Sequence, residues 1–168
     1  MTSPRLTFVL GGARSGKSRH AEALIAAYPA PWTYIATAQA YDDEMRERVA
    51  LHRERRDRNW ITVEEPLALP EALVRANGPV LVDCLTLWLT NLMLGEHALA
   101  PAFAALEVAL ADVAGPVLLV SNEVGLSIVP ENALARTFRD EQGRLNQLIA
   151  RIADRVVFMV AGLPLVMK

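Results

Sequence analysis

The chain has 168 residues and a formal net charge of −2. That length suits one α/β domain, residues 1–168, which would hide roughly 70% of the surface its unfolded chain exposes. A composition that is 52% hydrophobic and 21% charged belongs to a folded globular protein, and the near-neutral balance excludes the broad basic field that nucleic acid requires. The single cysteine, Cys84, excludes an internal disulfide and fits a reducing compartment. The first residues lack the order of a signal peptide. The longest apolar stretch, Val156 to Met167, contains Gly162 and Pro164 and is shorter than the roughly 20 residues that cross a bilayer. The expectation is a cytoplasmic protein without a membrane span.

In chain order, residues 5–10 read as a short buried strand, followed by a glycine-rich turn. Ser18 to Tyr28 reads as an alanine-rich helix ended by Pro29. Trp32 to Ala36 is a second apolar strand, and Asp42 to Arg58 a heavily charged helix. Trp60 to Val63 reads as a strand and Pro66 to Ala76 as a helix closed by Asn77-Gly78-Pro79. Val80 to Val82 is a strand ending in Asp83, Leu85 to Leu94 an apolar helix stopped by Gly95, and Pro101 to Val113 a further helix. Val117 to Val120 is a buried strand that leads into the loop Ser121-Asn122-Glu123-Val124-Gly125. Glu131 to Asp154 is helical, with Gly143 a weak point; Val156 to Val160 is a strand, and Leu163 to Met167 can return beside it as a hairpin. Short apolar runs alternating with helices predict a P-loop-type α/β fold, with a mostly parallel central sheet covered on both faces.

Gly11-Gly12-Ala13-Arg14-Ser15-Gly16-Lys17-Ser18 matches G-x-x-x-x-G-K-[ST] between a predicted strand and a predicted helix. Gly11 and Gly16 let the loop turn its amide groups around an anion. The following helix adds unpaired N–H groups and a positive dipole end. Lys17 can reach the β and γ phosphates, and Ser18 can hold Mg²⁺. A second metal-linked carboxylate is expected at a neighbouring strand end, and Asp83 is the candidate; as an acid before a helix it also suits an N-cap. Glu123 follows another buried strand and is a weaker metal or base candidate.

The segment from Asp42 to Arg58 holds six acids and six arginines, which by itself describes a solvated helix with i,i+4 ion pairs. Met45, Val49, His52 and Arg56 nevertheless fall on one helix face. A neutral imidazole can attack phosphorus while a neighbouring guanidinium holds the phosphate, although such a histidine also serves as a plain surface residue. His20 reads as structural, His97 lies in a loop-like stretch, and no Cys/His pattern suggests zinc.

Four blocks carry a specific resemblance: Gly11–Ile25, Tyr34–Val49 with His52 shortly after, Val80–Leu92 and Ser121–Gln147. In their order, over nearly the whole chain, they closely resemble the bifunctional adenosylcobinamide kinase/adenosylcobinamide-phosphate guanylyltransferases of cobalamin biosynthesis. The resemblance implies phosphorylation of adenosylcobinamide with ATP or GTP. Transfer of GMP from GTP to adenosylcobinamide phosphate would follow, giving adenosylcobinamide-GDP and pyrophosphate through a GMP–histidine at His52. Family members often have a second histidine just before that position, where this chain has Leu51. Nucleotide contacts implied by the resemblance are Gly11, Gly12, Ala13, Arg14, Ser15, Gly16, Lys17, Ser18, Thr37, Ala38, Gln39, Arg53, Glu54, Arg55, Arg56, Glu64 and Asp83. It also implies Mg²⁺ on Ser18 and Asp83, and a homotrimer.

Two other readings stay open on the residues alone. One is a P-loop kinase without guanylyl transfer, which Leu51 permits. The other is a regulatory GTPase, against which the guanine-reading Asn-Lys-x-Asp sequence is absent. Trp88 and Leu89 could line a corrinoid cleft or simply pack in the core.

Overall fold

A computed structural model of the chain describes residues 4–39 and 58–168. Its strands are β1 Leu6–Gly11, β2 Trp32–Ala36, β3 Trp60–Glu64, β4 Val80–Asp83, β5 Val117–Asn122, β6 Arg155–Val160 and β7 Leu163–Val166. The described helices are α1 Lys17–Ile25, α2 Leu69–Arg75, α3 Leu85–Leu94, α4 Leu99–Asp112 and α5 Ala133–Ile152. The expected charged helix lies outside the described residues. One seven-stranded sheet runs in the order β3-β2-β4-β5-β1-β6-β7. Every pairing is parallel except β6 with β7.

The apolar runs become strands because both sheet faces are covered, so successive side chains enter different cores. Val80 and Val82 pack with Leu6, Phe8, Val117 and Leu119 under α2 to α5. Leu81 faces the opposite way and packs with Val9, Leu118 and Val157 against Ala21 and Ile25 of α1. Trp88 and Leu89 are fully buried in the first core, and the Trp88 indole donates to the Leu67 carbonyl at 2.8 Å. They are core residues and line no corrinoid cleft.

Local chemistry sets several element ends. The Asn132 side chain accepts from the Ala135 amide at 2.7 Å and caps α5. Gly143 does not interrupt that helix, which runs unbroken to Ile152. Pro101 is tolerated inside the first turn of α4, where amides have no intrahelical acceptor. Arg5 donates to the carbonyls of Leu110 at 2.6 Å and Val113 at 3.2 Å, closing the other end of α4. The hairpin between β6 and β7 turns through Ala161 and Gly162 at φ 52° and 81°. Positive angles at both turn positions match the twist of the flanking strands. No described helix is long and apolar enough to cross a membrane.

Candidate active site

All parallel strands end at the same sheet edge, and most of the expected site residues gather there. Gly11 closes β1, Asp83 closes β4, Thr37 to Gln39 follow β2, and Glu64 closes β3. Ligands of open α/β sheets bind at such carboxyl ends. Glu64 is four strand spacings from β1, roughly 19 Å at about 4.8 Å per spacing. A nucleotide that touched both would lie along the edge, its phosphates at β1.

The phosphate loop is compact and needs its glycines. A Cβ on Gly11 would come within 2.5 Å of Ser15 Oγ and 2.8 Å of the Met159 carbonyl. Gly16 caps α1 at φ 92°, a left-handed conformation that other residues adopt at a cost. No side chain caps this helix, so its first amides point into the loop region without a side-chain acceptor. Arg14 also has a positive φ of 56° and is exposed. Ser18 occupies the first turn of α1 and is half-buried.

Lys17 sends its ammonium back to the Gly12 carbonyl at 3.1 Å. Burial lowers its pKa, while Cys84 and Asp83 pull the other way. Near neutral pH the Asp83 charge is the effective opponent, because burial and Asp83 push the Cys84 thiol up to about 12 and keep it protonated. Lys17 and the β4 terminus therefore share one electrostatic site. Asp83 Oδ2 accepts from the Tyr34 hydroxyl at 3.2 Å. A hydroxyl at Ser18 and a carboxylate at Asp83 are hard oxygen donors. They fit Mg²⁺, which takes few protein ligands and completes its shell with phosphate and water. Among the described residues no group of three or more His, Cys, Asp or Glu forms a metal cluster.

Thr37 is fully buried, and its hydroxyl is committed to the backbone of the β4 exit. It donates to the Cys84 carbonyl at 2.7 Å and accepts from the Cys84 amide at 2.9 Å. Asn91 of α3 in turn donates to the Thr37 carbonyl at 2.8 Å and to that of Pro66 at 3.0 Å. This latch fixes the peptide beside Asp83. Sequence reasoning missed Tyr34 and Asn91. Asn91 had a signal: it is an amide in an otherwise apolar helix, and a buried amide needs partners.

Between β1 and β4 stands β5, whose end carries a second buried polar group. Ser121 donates to Asn146 Oδ1 at 2.8 Å, Gln142 Nε2 donates to Ser121 Oγ at 3.0 Å, and Thr86 Oγ1 accepts from the Asn122 amide at 2.8 Å. The Glu123 amide donates to the Gly11 carbonyl at 3.1 Å, so β5 stays paired beyond Val120, where the sequence suggested a loop. Glu123 folds its carboxylate onto the Gly125 amide at 2.5 Å.

His20 lies on α1 with Nε2 buried and unpartnered; burial, then Arg155, lowers its pKa. Its backbone amide donates to the Gly16 carbonyl at 3.0 Å, where the phosphate loop passes into α1. His97 is exposed, and its amide donates to the Leu92 carbonyl at 2.9 Å. The expected contacts at His52, Arg53, Glu54, Arg55 and Arg56 lie outside the described residues.

A phosphate loop, a strand-end carboxylate one strand removed and a parallel sheet describe many nucleotide enzymes. The comparison that decides among them is a match of residues 7–167 to the CobU family model, described as cobinamide kinase / cobinamide phosphate guanyltransferase. The chain belongs to this family. Its curated relatives include the bifunctional adenosylcobalamin biosynthesis protein CobP of Pseudomonas aeruginosa, 52% identical and covering 95% of both chains. They also include the CobU proteins of Escherichia coli, 41% identical over 97% of this chain and 99% of that protein, and of Salmonella typhimurium, 42% identical over the same shares. Among solved structures, a prototypical ATPase from the type III secretion system matches with a TM-score of 0.53 at 14% identity, covering 92% of this chain and 50% of that one. That likeness concerns the P-loop fold alone.

Proposed function

We propose that this CobU-family chain carries out both reactions of the family description, with adenosylcobinamide as the acceptor. In the first, the acceptor hydroxyl oxygen attacks the γ phosphorus of ATP or GTP and gives up its proton to solvent. The bond to the bridging oxygen breaks, and the nucleoside diphosphate leaves. Such chemistry asks mainly for positioning and charge neutralisation. The loop amides from Gly11 to Ser18 and the Lys17 ammonium would hold the β and γ phosphates. Mg²⁺, when bound by Ser18 and Asp83, supplies charge neutralisation at the phosphate oxygens.

In the second reaction an imidazole nitrogen of His52 attacks the α phosphorus of GTP and pyrophosphate leaves. The phosphate oxygen of adenosylcobinamide phosphate then displaces the imidazole, giving adenosylcobinamide-GDP. Covalent catalysis divides one difficult displacement into two. Arg53, Arg55 and Arg56 would offset phosphate charge beside His52, with Glu54 among the nucleotide contacts. Thr37, Ala38, Gln39 and Glu64 follow or close the strands away from β1, where they would meet the nucleotide beyond its phosphates. Thr37 is fully buried, with its hydroxyl held by Cys84, its amide by the Asp83 carbonyl at 3.4 Å and its carbonyl by Asn91 at 2.8 Å, so its part would be to fix the segment that presents Ala38 and Gln39.

The observation that carries the reading is the one sheet edge shared by the phosphate loop, Asp83, Thr37 to Gln39 and Glu64, in a chain of this family. Incubation with α-labelled GTP is expected to give an acid-labile, base-stable protein–GMP adduct that His52→Ala cannot form. Equal labelling of that variant would remove His52 as nucleophile. Kinase turnover should survive in His52→Ala and be lost in Lys17→Ala. We read the working form as a cytoplasmic homotrimer; sedimentation tests the trimer, and cell fractionation the location.

A further inference from the structure

The β1 strand has two flanks. Of the implied nucleotide contacts outside the phosphate loop, those among the described residues, Thr37 to Gln39, Glu64 and Asp83, lie on its β5–β4–β2–β3 side. On the edge above β5, β1 and β6 there is a cavity of about 720 Å³ that these residues do not line. One wall is the outside of the phosphate loop, Gly12 to Ser15. The others are the β5 exit, through Glu123, Val124 and Leu126, and the β6 end, through Phe158 and Val160. Away from the loop the lining is mixed: Glu123 and Ser127 are polar, and Val124, Leu126, Phe158, Met159 and Val160 form a contiguous apolar part.

The apolar wall continues onto open surface. Leu126 is 83% exposed and Ile128 94%, and Val160 is 51% exposed across the cavity. The phosphate loop gives no reason for this. A triphosphate and its metal need amides, cations and carboxylates, not exposed leucine. A second ligand with a broad apolar body does need it. Two further cavities, between α2 and α4 and between α3 and α5, contain no phosphate-loop residue among those that line them. A group bound in either would be remote from the transferable phosphate.

We propose that this cavity is the acceptor subsite: the large apolar acceptor lies against Val124, Leu126, Phe158 and Val160, and its hydroxyl or phosphate arm reaches over the phosphate loop. The proposal rests on the two-reaction reading above and adds the place of the second substrate. The two segments that form the apolar wall are already tied to the loop. The Glu123 amide donates to the Gly11 carbonyl at 3.1 Å, and the Gly162 amide to the Ser15 carbonyl at 3.0 Å. An acceptor seated on them is therefore held in register with the phosphates, which is what positioning catalysis requires.

The test is Leu126→Asp, with Leu126→Met as the conservative control, since an 83% exposed side chain is dispensable for folding. The KM for adenosylcobinamide in the kinase reaction is expected to rise about tenfold or more in the aspartate variant, the range for a lost apolar contact in a substrate pocket. The methionine variant should stay near the parent, and the KM for ATP should be unchanged in both. Nucleotide-free equilibrium dialysis with the coloured corrinoid should show the same loss. An unchanged acceptor KM overturns the proposal. So does a rise in the nucleotide KM instead, which would make the cavity a nucleoside site, or a changed sedimentation coefficient with acceptor binding intact, which would make it a face between copies of the chain. Failure of the unmodified protein to turn over adenosylcobinamide would count against the two-reaction reading, separately from these comparisons.

Discussion

The Gly162 amide donates to the Ser15 carbonyl at 3.0 Å, so the turn of the C-terminal hairpin is fastened to the phosphate loop. A Cβ on Gly16 would touch Gly162 Cα at 3.4 Å, which shows how closely the two turns approach. The last strand pair thus braces a loop that lies about 145 residues earlier in the chain. Gly162 sits at φ 81°, where a β-branched residue is strained by about 1–2 kcal/mol. Gly162→Val is expected to weaken ATP and GTP binding several-fold and to lower Tm. Gly162→Asn, which tolerates the left-handed region, should do much less. Calorimetric titration with a non-hydrolysable analogue reads the difference, and equal affinity in the valine variant would refute the brace.

Thr37→Val keeps the shape of the side chain but removes both hydrogen bonds to the Cys84 backbone. Leaving buried backbone groups unpaired costs about 1–3 kcal/mol. Because those groups adjoin Asp83, the Mg²⁺ concentration for half-maximal kinase rate should also rise, while Thr37→Ser restores it. A loss of stability without any change in Mg²⁺ dependence would reduce the latch to a structural role.

A Cβ at Gly143 would meet nothing within 4 Å, and the residue lies inside α5. Glycine in a helix interior costs about 0.8–1.0 kcal/mol relative to alanine. Gly143→Ala should raise stability by about that amount in urea unfolding, with kinase activity unchanged.

Cys84 is buried, and its thiol is pushed from 9.0 up to about 12, by burial first and then by Asp83. A thiol reagent at pH 8 should therefore label the unfolded chain and leave the native one untouched. A raised folded pKa favours the protonated form in the native state. The resulting stability is complete below about pH 9, the unfolded value, and is lost as pH rises toward 12. Cys84→Ala should accordingly flatten the alkaline arm of the stability curve. Rapid native labelling would contradict the burial.

The strands were legible because a parallel sheet covered on both faces demands continuous apolar runs, and 80–82 and 117–120 are such runs. The phosphate loop was legible from spacing, and Asp83 from its place at a strand end. The β5 terminus read as loop because Ser121 and Asn122 are polar. Their strand pairing depends on Thr86, Gln142 and Asn146, which are remote in sequence. The clasp between Gly162 and Ser15 has the same character: two ordinary turn glycine and serine positions acquire meaning only when β6 pairs with β1. Thr37 was assigned to the nucleotide from resemblance, whereas the bonds of its hydroxyl are set by the position of α3 and the β4 exit. His52 and its arginines fall outside the described residues, so their reading rests on sequence.

At the far border of the sheet, β7 offers four exposed residues, Leu163 to Val166. An unpaired apolar border of this kind invites another chain to dock backbone to backbone and extend the lattice of strands. Pro164 has no amide hydrogen with which to continue such a ladder, and four residues give little length to copy. The same short hairpin that reaches back to the phosphate-loop end of the molecule also opposes growth of the sheet at this border, so bracing of the loop and protection of the edge draw on a single stretch of chain.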